Sequence, residues 1–306
     1  MIEARSLTKR YGSKTAVDHL DFEVRPGIVT GFLGPNGSGK STTMRLILGL
    51  DRPTSGSVTV NGRAYADHPA PLSEVGALLE ARSIHTGRSA RNHLLALAAT
   101  HRISTRRVDE VLDLVGLSEV ASKRVGSFSL GMGQRLGIAA ALLADPATVI
   151  LDEPINGLDP EGVRWVRNLL RGLAGEGRTV FLSSHLMAEM ALTAEHVIVV
   201  GRGRLIADVE TAELLEGGSS TVVVRSPEAS ELRDHLASPD VTVTSREAGL
   251  LEVRGASAEQ VGETARRHGL AVYELRVESA SLEDVFMTLT SDSVEYRAAS
   301  LDGSAA

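Results

Sequence analysis

Gly34-Pro35-Asn36-Gly37-Ser38-Gly39-Lys40-Ser41 is preceded by the apolar run Ile28-Val29-Thr30-Gly31-Phe32-Leu33 and followed by Thr42-Thr43-Met44-Arg45-Leu46-Ile47-Leu48. The first flank reads as a buried strand and the second as a helix. The spacing G-x-x-x-x-G-K-[ST] between a strand and a helix is that of a phosphate-binding loop. Its glycines let successive backbone N–H groups turn inward around a phosphate, and the helix N-terminus adds positive dipole. Lys40 is placed to reach β- and γ-phosphates, and the Ser41 hydroxyl to ligate Mg²⁺. Residues 34–41, with Thr42, form the expected nucleotide-binding set. Only Lys9, Lys14, Lys40 and Lys123 of the 32 basic residues are lysine. A chain that prefers arginine keeps lysine at 40, where a compact charge on a thin stem is needed.

Val149-Ile150-Leu151 reads as a second buried strand and ends in Asp152-Glu153. By itself an acidic pair after a strand is more often a solvated strand end. Downstream of a phosphate-binding loop, Asp152 is placed to hold Mg²⁺ and Glu153 to polarise the attacking water. Asp159 as N-cap, Pro160 and Glu161 open a helix whose Val163, Val166, Leu169, Leu170 and Leu173 keep helical spacing; Gly175 is positioned to end it. Val180-Phe181-Leu182 is a further buried strand. Strand–helix–strand order predicts an α/β fold with a parallel sheet. Residues 2–25 alternate like antiparallel β, and residues 89–144 are mostly helical.

After Gly217-Gly218-Ser219-Ser220 the pattern changes. Thr221 to Val224 reads as a strand and Glu228 to Leu236 as a helix. Val241 to Thr244 and Leu250 to Val253 flank a turn at Glu247-Ala248-Gly249. Ser257-Ala258-Glu259-Gln260 has the capping-box pattern, before a helix that Gly269 can close. Ala271 to Val277 reads as a strand, and a short helix runs from Ser281 to about Leu289. The order βαββαβ is that of small α+β ferredoxin-like domains. The expected divisions are residues 1–215 (with a helical part at about 81–144), a C-terminal unit at 220–290, and a polar, frayed tail at 291–306.

The chain has 306 residues and no cysteine, which excludes disulfides, thiolate metal sites and cysteine nucleophiles. Net charge is −7 and aromatic residues make up 3%, so neither a basic nucleic-acid footprint nor a stacking platform for single strands is expected. No apolar run approaches the roughly 18 residues of a membrane span, and the N-terminus lacks a signal-peptide stretch. A cytoplasmic protein that docks on a membrane protein fits this composition.

Taken together the motifs resemble the ATP-binding subunits of ABC transporters. Phe128-Ser129-Leu130-Gly131-Met132, with Gly133-Gln134-Arg135, stands where that family has its Leu-Ser-Gly-Gly-Gln signature opening a helix. Asn156-Gly157-Leu158-Asp159 is similar to the D-loop, Ser183-Ser184-His185 to the segment carrying the switch histidine, and Tyr11-Gly12 to the position whose aromatic stacks on adenine. A GTPase or small-molecule kinase shares the phosphate-binding loop but not this ordered series.

The resemblance implies ATP and Mg²⁺ as ligands. It implies catalytic roles for Lys40, Glu153 and His185, and nucleotide contacts from Tyr11, Ser129, Gly131 and Asp159. It also implies a head-to-tail dimer in which Ser129 and Gly131 of one copy face the phosphates held by the other. A separate membrane permease is implied, docked near Thr86 to His101, with the chain at the cytoplasmic face of the membrane.

Two departures stand out. Leu130 and Met132 replace signature residues, and the family's Q-loop glutamine is Glu80, which the resemblance places at the nucleotide and metal. Both look like the daunorubicin- and bacitracin-resistance branch of exporter ATPases, as does Leu282-Glu283-Asp284-Val285-Phe286 near the end. The expected function is therefore ATP-driven export of a drug or peptide antibiotic. The alternative is a non-transport ABC ATPase acting on nucleic acid or ribosomes; the acidic balance and the single cassette stand against it.

Overall fold

The computed structural model describes residues 1–79, 84–216, 221–278 and 282–290. They fall into two compact units, one formed mainly by residues 1–211 and the other by residues 212–288. Glu80 and the tail from residue 291 lie outside the described residues.

The first unit runs β1 (Ile2–Tyr11), β2 (Lys14–Val24), β3 (Val29–Leu33), α1 (Lys40–Ile47), β4 (Ser55–Val60), α2 (Pro71–Glu74), β5 (Val75–Leu78), α3 (Ala90–Thr100) and α4 (Thr105–Leu114). It continues with α5 (Leu130–Leu142), β6 (Thr148–Asp152), α6 (Pro160–Gly175), β7 (Thr179–Ser183), α7 (Met187–Thr193), β8 (His196–Gly201) and β9 (Arg204–Glu210), and α8 (Thr211–Glu216) begins the second unit.

Six of the strands make one sheet in the order β5-β6-β7-β3-β8-β9. It is parallel except at the β8–β9 edge, a hairpin that strand–helix alternation did not predict. Every residue of β3, β7 and β8 is buried, as the near-continuous apolar runs of a sheet covered on both faces require. A second, antiparallel sheet has the order β2-β1-β4. Sequence reading found its first hairpin but not β4. Phe22 of β2 meets Phe32 of β3 and Phe181 of β7 at ring-centroid distances of 5.9 and 6.1 Å, and the last two lie 5.1 Å apart. Three of the five phenylalanines thus join the two sheets in one core with Ile2, Leu7, Met44 and Ile150.

Helices α3 to α5 form the helical part. Ser89 and Ser104 cap α3 and α4 by accepting bonds from Asn92 and Arg107 N–H groups. Helix α5 lies against β5 closely enough that a Cβ on Gly76 would come 1.9 Å from the Ala141 carbonyl oxygen, so only glycine fits there. Asp159 caps α6 as its sequence predicts, accepting from Gly162 N–H at 2.8 Å. The helix ends at Gly175, as expected. That glycine is the last helical residue, and the left-handed turn falls at Gly177, with φ +87°. No helix among the described residues is long and apolar enough to cross a membrane.

The second unit holds β10 (Thr221–Arg225), α9 (Ala229–Leu236), β11 (Thr242–Glu247), β12 (Leu250–Arg254), α10 (Ala258–His268) and β13 (Glu274–Glu278), and α11 (Leu282–Thr290) follows. All its strand pairs are antiparallel, in the order β11-β12-β10-β13. That order, with helices after β10 and β12, is the split-βαβ topology. Val222, Val224, Leu251 and Val253 pack on Leu232, Leu236, Val261 and Ala265 of the two helices. The capping box forms in full: Ser257 Oγ accepts from Gln260 N–H at 3.3 Å, and Ser257 N–H donates to Gln260 Oε1 at 2.8 Å. Gly269 closes α10 at φ +71°.

Candidate active site

The phosphate-binding loop leaves the sheet at Leu33 and enters α1 at Lys40. Gly39 caps that helix at φ +104°, and a Cβ there would meet the Ala16 carbonyl oxygen at 2.4 Å. Both the turn and the close approach to β2 therefore need glycine. The N–H groups of Lys40, Ser41 and Thr42 open the first turn, where a helix leaves donors without intrahelical acceptors. The Ser38 hydroxyl is buried inside the loop with no hydrogen-bond partner, a polar atom of the kind an incoming phosphate oxygen satisfies.

Lys40 folds back over its own loop. Its ammonium donates to the Gly34 carbonyl at 2.6 Å and to the Pro35 carbonyl at 3.2 Å. Burial pushes its pKa below the ordinary lysine value, opposed by the Glu153 and Asp152 carboxylates. The loop thus holds a cation that is only partly compensated, ready to exchange carbonyl dipoles for phosphate charge.

Strand β6 runs beside β7 and delivers the two carboxylates to the loop. Ser41 Oγ donates to one Asp152 oxygen at 2.7 Å, and Ser183 Oγ donates to the other. A hydroxyl and a carboxylate side by side are hard oxygen donors suited to Mg²⁺, which keeps the rest of its shell as water and phosphate. Among the described residues no group of three or more acidic or histidine side chains could hold a metal ion by itself.

Glu153 sits at φ +53°, in the left-handed region that costs a non-glycine residue about 1–2 kcal/mol. Bonds from both ends of its peptide groups hold it there. The N–H donates to the Ser183 carbonyl at 3.2 Å and to Ser183 Oγ at 3.1 Å. The carbonyl accepts from Gln134 Nε2 at 3.0 Å. Its carboxylate meets His185, whose Nδ1–H donates to Oε2 at 2.8 Å. Tyr11, Asn36, Lys40, Ser41, Thr42, Asp152 and Glu153 line one cleft of about 400 Å³. Tyr11 is 47% exposed there, its hydroxyl bonded to Asp51 at 2.9 Å and Lys9 over its ring at 4.9 Å.

Not every expected residue meets in this cleft. Ser129 is exposed and caps α5, accepting from Met132 N–H at 3.2 Å. Gly131 follows it, facing the Gly157 and Leu158 segment. Neither lines the cleft of its own chain. The Asp159 side chain is spent on its capping bond. Gln134 and Ser183 carry no expected role in the sequence, yet both hold Glu153. The available signal was a glutamine entering the apolar run Leu136 to Ala144, a polar group in a buried helix that must find a partner.

Residues 17–156 match the family described as ABC transporter, and residues 220–283 match a domain of unknown function, DUF8746. The chain is 36% identical over 298 residues to the bacitracin transport ATP-binding protein BcrA of Bacillus licheniformis, covering 94% of this chain and 97% of that protein. It is 34% identical to the Nod factor export ATP-binding protein I of Cupriavidus metallidurans, covering 95% and 97%. Among solved structures it is similar to an ATP-binding subunit of an ABC transporter (TM-score 0.65, 26% identity, 71% of this chain and 92% of that one). It is also similar to a bacterial ABC transporter cassette solved as a dimer (TM-score 0.64, 25% identity, 69% and 99%). Likeness along almost the whole length of these relatives, over a fold that brings Lys40, Ser41, Asp152 and Glu153 into one cleft, makes the chain a member of the ABC transporter ATP-binding subunits and an ATPase.

Proposed function

We propose that this ATPase powers export of a peptide antibiotic or similar drug through a separate membrane permease, working as a head-to-tail dimer at the membrane's cytoplasmic face. The observation that carries the reading is end-to-end likeness to a bacitracin transport protein, second unit included. A lantibiotic transport ATP-binding protein of Streptococcus pyogenes is also 34% identical over 210 residues. Relatives named for transport do not favour the alternative of an ATPase acting on nucleic acid or ribosomes.

Chemically, the ammonium of Lys40 exchanges the Gly34 and Pro35 carbonyls for β- and γ-phosphate oxygens. Ser41 and Asp152 are the residues that would hold Mg²⁺, which when bound neutralises charge on the same oxygens. Ser183 fixes the second Asp152 oxygen and, through two bonds, the Glu153 backbone. The Glu153 carboxylate takes a proton from water as the water oxygen bonds to the γ-phosphorus. The bond from that phosphorus to the bridging oxygen breaks, and ADP leaves. His185 holds the carboxylate through Nδ1 and faces the γ-phosphate with Nε2. Tyr11 offers its exposed ring to adenine.

Ser129 and Gly131, exposed and half-buried away from their own cleft, would complete the site of a second copy. That division of labour requires a dimer with two sites. The docking surface for the permease is a mostly apolar cleft of about 520 Å³ between the sheet and the helical part, lined by Leu50, Tyr65, Leu79, Ile84 and His93. His93 lies on α3, within the segment expected for docking.

The test is reconstitution of the chain with its permease in a drug-sensitive host. Resistance to bacitracin or a lantibiotic should appear with the wild type and vanish with Glu153→Gln. Resistance unchanged by Glu153→Gln would overturn the proposal.

A further inference from the structure

Tyr11 is the last residue of β1, beside the turn at Gly12 that leads into β2. The pairing of β4 with β1 stops at Thr8 and Ser55, which leaves Lys9, Arg10 and Tyr11 beyond it. Each of these three is bonded instead to residues 51–54, the segment that precedes β4. Lys9 Nζ donates to the Arg52 carbonyl at 2.7 Å, Arg10 N–H to Thr54 Oγ1 at 3.0 Å, and the Tyr11 hydroxyl to Asp51 Oδ2 at 2.9 Å. The Lys9 ammonium also lies over the Tyr11 ring, a cation on an aromatic face. The tip of the hairpin is thus held from outside the hairpin.

Asp51 is itself fixed from α1. Leu48 caps that helix and Gly49 turns the chain back at φ +64°, so that the N–H groups of Leu50 and Asp51 both donate to the Arg45 carbonyl, at 2.9 and 3.4 Å. The Arg45 side chain donates through Nε to the same Asp51 oxygen that accepts from Tyr11, at 2.7 Å. The Arg45 guanidinium, and after it the Tyr11 hydroxyl, hold the Asp51 carboxyl below its ordinary pKa, so it stays ionised and accepts from both. A single exposed ion pair stabilises little; here a guanidinium, a hydroxyl and a backbone turn converge on one carboxylate. The same helix opens with Lys40 and Ser41. A rod of about 12 Å therefore sets the spacing between the phosphate-binding loop at its start and the Tyr11 ring tethered at its end.

We infer that Asp51, braced by Arg45, is a positioning residue for the nucleotide base: it fixes the Tyr11 ring in register with the phosphate-binding loop, so that adenine stacks without first ordering the hairpin tip. The inference rests on the proposed role of Tyr11 as the adenine platform. Neither Asp51 nor Arg45 needs to touch the nucleotide. A tether formed before binding removes an ordering cost from it, and the gain is read in affinity, only for ligands that carry a base. Every base has a π-face to stack, so the tether raises affinity for nucleotides as a class.

Calorimetry on the full chain separates the base from the phosphates. The two probes are MgATP and magnesium tripolyphosphate, which carries phosphates alone. Tyr11→Ala should weaken MgATP about tenfold and leave tripolyphosphate unchanged. Asp51→Ala should weaken MgATP about threefold or more, again with tripolyphosphate unchanged, and Tyr11→Phe, which keeps the ring and loses the tether, should do the same. In a Tyr11→Ala background Asp51→Ala should change neither affinity, because its effect passes through the ring. Asp51→Asn keeps an acceptor for the hydroxyl and should lose less than Asp51→Ala. Wild-type MgATP affinity in Asp51→Ala, with Tyr11→Ala still weak, would overturn the inference and leave the adenine platform standing. Equal weakening of tripolyphosphate by Asp51→Ala would also overturn it, since Asp51 would then act on the phosphate-binding loop through α1. If Tyr11→Ala itself binds MgATP as the wild type does, the platform reading fails and the inference with it.

Discussion

The Gln134 side-chain amide donates to the Glu153 carbonyl at 3.0 Å, so the helix that begins at the exposed Ser129 is tied directly to the backbone of the residue proposed to activate water. Gln134 is only 3% exposed, and Glu153 holds an unfavourable φ of +53° between this bond and those that its N–H donates to Ser183. Any displacement of the α5 N-terminus, where a second copy would contribute phosphate contacts, therefore acts on Glu153 through one side chain.

Removing that link tests it. Gln134→Ala removes one of the two bonds that the Glu153 carbonyl accepts, leaving the one from Asn156 N–H at 3.2 Å, and costs about 0.5–1.5 kcal/mol in stability. As a positioning residue, Gln134 should affect kcat and not the KM for ATP. Steady-state kinetics, with ATP affinity measured separately by calorimetry, should show about tenfold slower turnover at unchanged affinity. An equal fall in affinity would mean that the whole loop had moved.

Glu153→Gln preserves shape and the bond from His185 but removes the base. Turnover should fall at least ~100-fold, the scale for losing a general base. ATP should still bind, and a dimer should accumulate with it on size-exclusion chromatography. Near-normal turnover would place water activation on another group.

Much of this site was legible in the sequence because it is written locally. Gly34 to Ser41 encode the loop in eight consecutive residues, and Asp159-Pro160 predicts a helix start to the residue, since caps and backbone freedom are short-range effects. Gln134 and Ser183 were harder because their meaning lies in their partners. Gln134 reaches Glu153 across 19 positions and Ser183 reaches Asp152 across 31, and neither spacing is a periodicity. The antiparallel β8–β9 edge and β4 escaped for the same reason, as pairing is decided by long-range register. Leu130, a departure from the family signature, also becomes intelligible only in three dimensions. A Cβ placed on Gly157 would meet its Cδ2 at 2.2 Å, so its side chain fills the space over the Asn156-Gly157 turn.

That contact makes Gly157→Ala informative. The residue is at φ +75° and Leu130 occupies the space its Cβ would take, so the substitution combines backbone strain with a clash. A stability loss of about 1–3 kcal/mol is expected by thermal denaturation. Adding Leu130→Gly should relieve the clash but not the strain and recover part of the loss. Full additivity of the two changes would show that the contact carries no energy.

Lys40 should make nucleotide binding depend on pH in a defined direction. Burial holds its pKa below the ordinary 10.5, while phosphate charge must raise it once nucleotide is bound. A group that binds its proton more tightly in the complex gives affinity that is full below its free pKa and is lost as pH rises through it. Above that point affinity for MgATP should fall by up to about tenfold per pH unit. Binding should then take up a proton, visible as a dependence of calorimetric enthalpy on the ionisation enthalpy of the buffer. The range from about pH 8 to 10 avoids titration of the nucleotide's own terminal phosphate. Lys40→Ala should bind ATP far more weakly at every pH, with no such slope. Lys40→Arg, whose guanidinium stays charged throughout, should also bind more weakly than the wild type but with a flat profile. A wild-type slope that persists in Lys40→Arg would assign the titration to a different group.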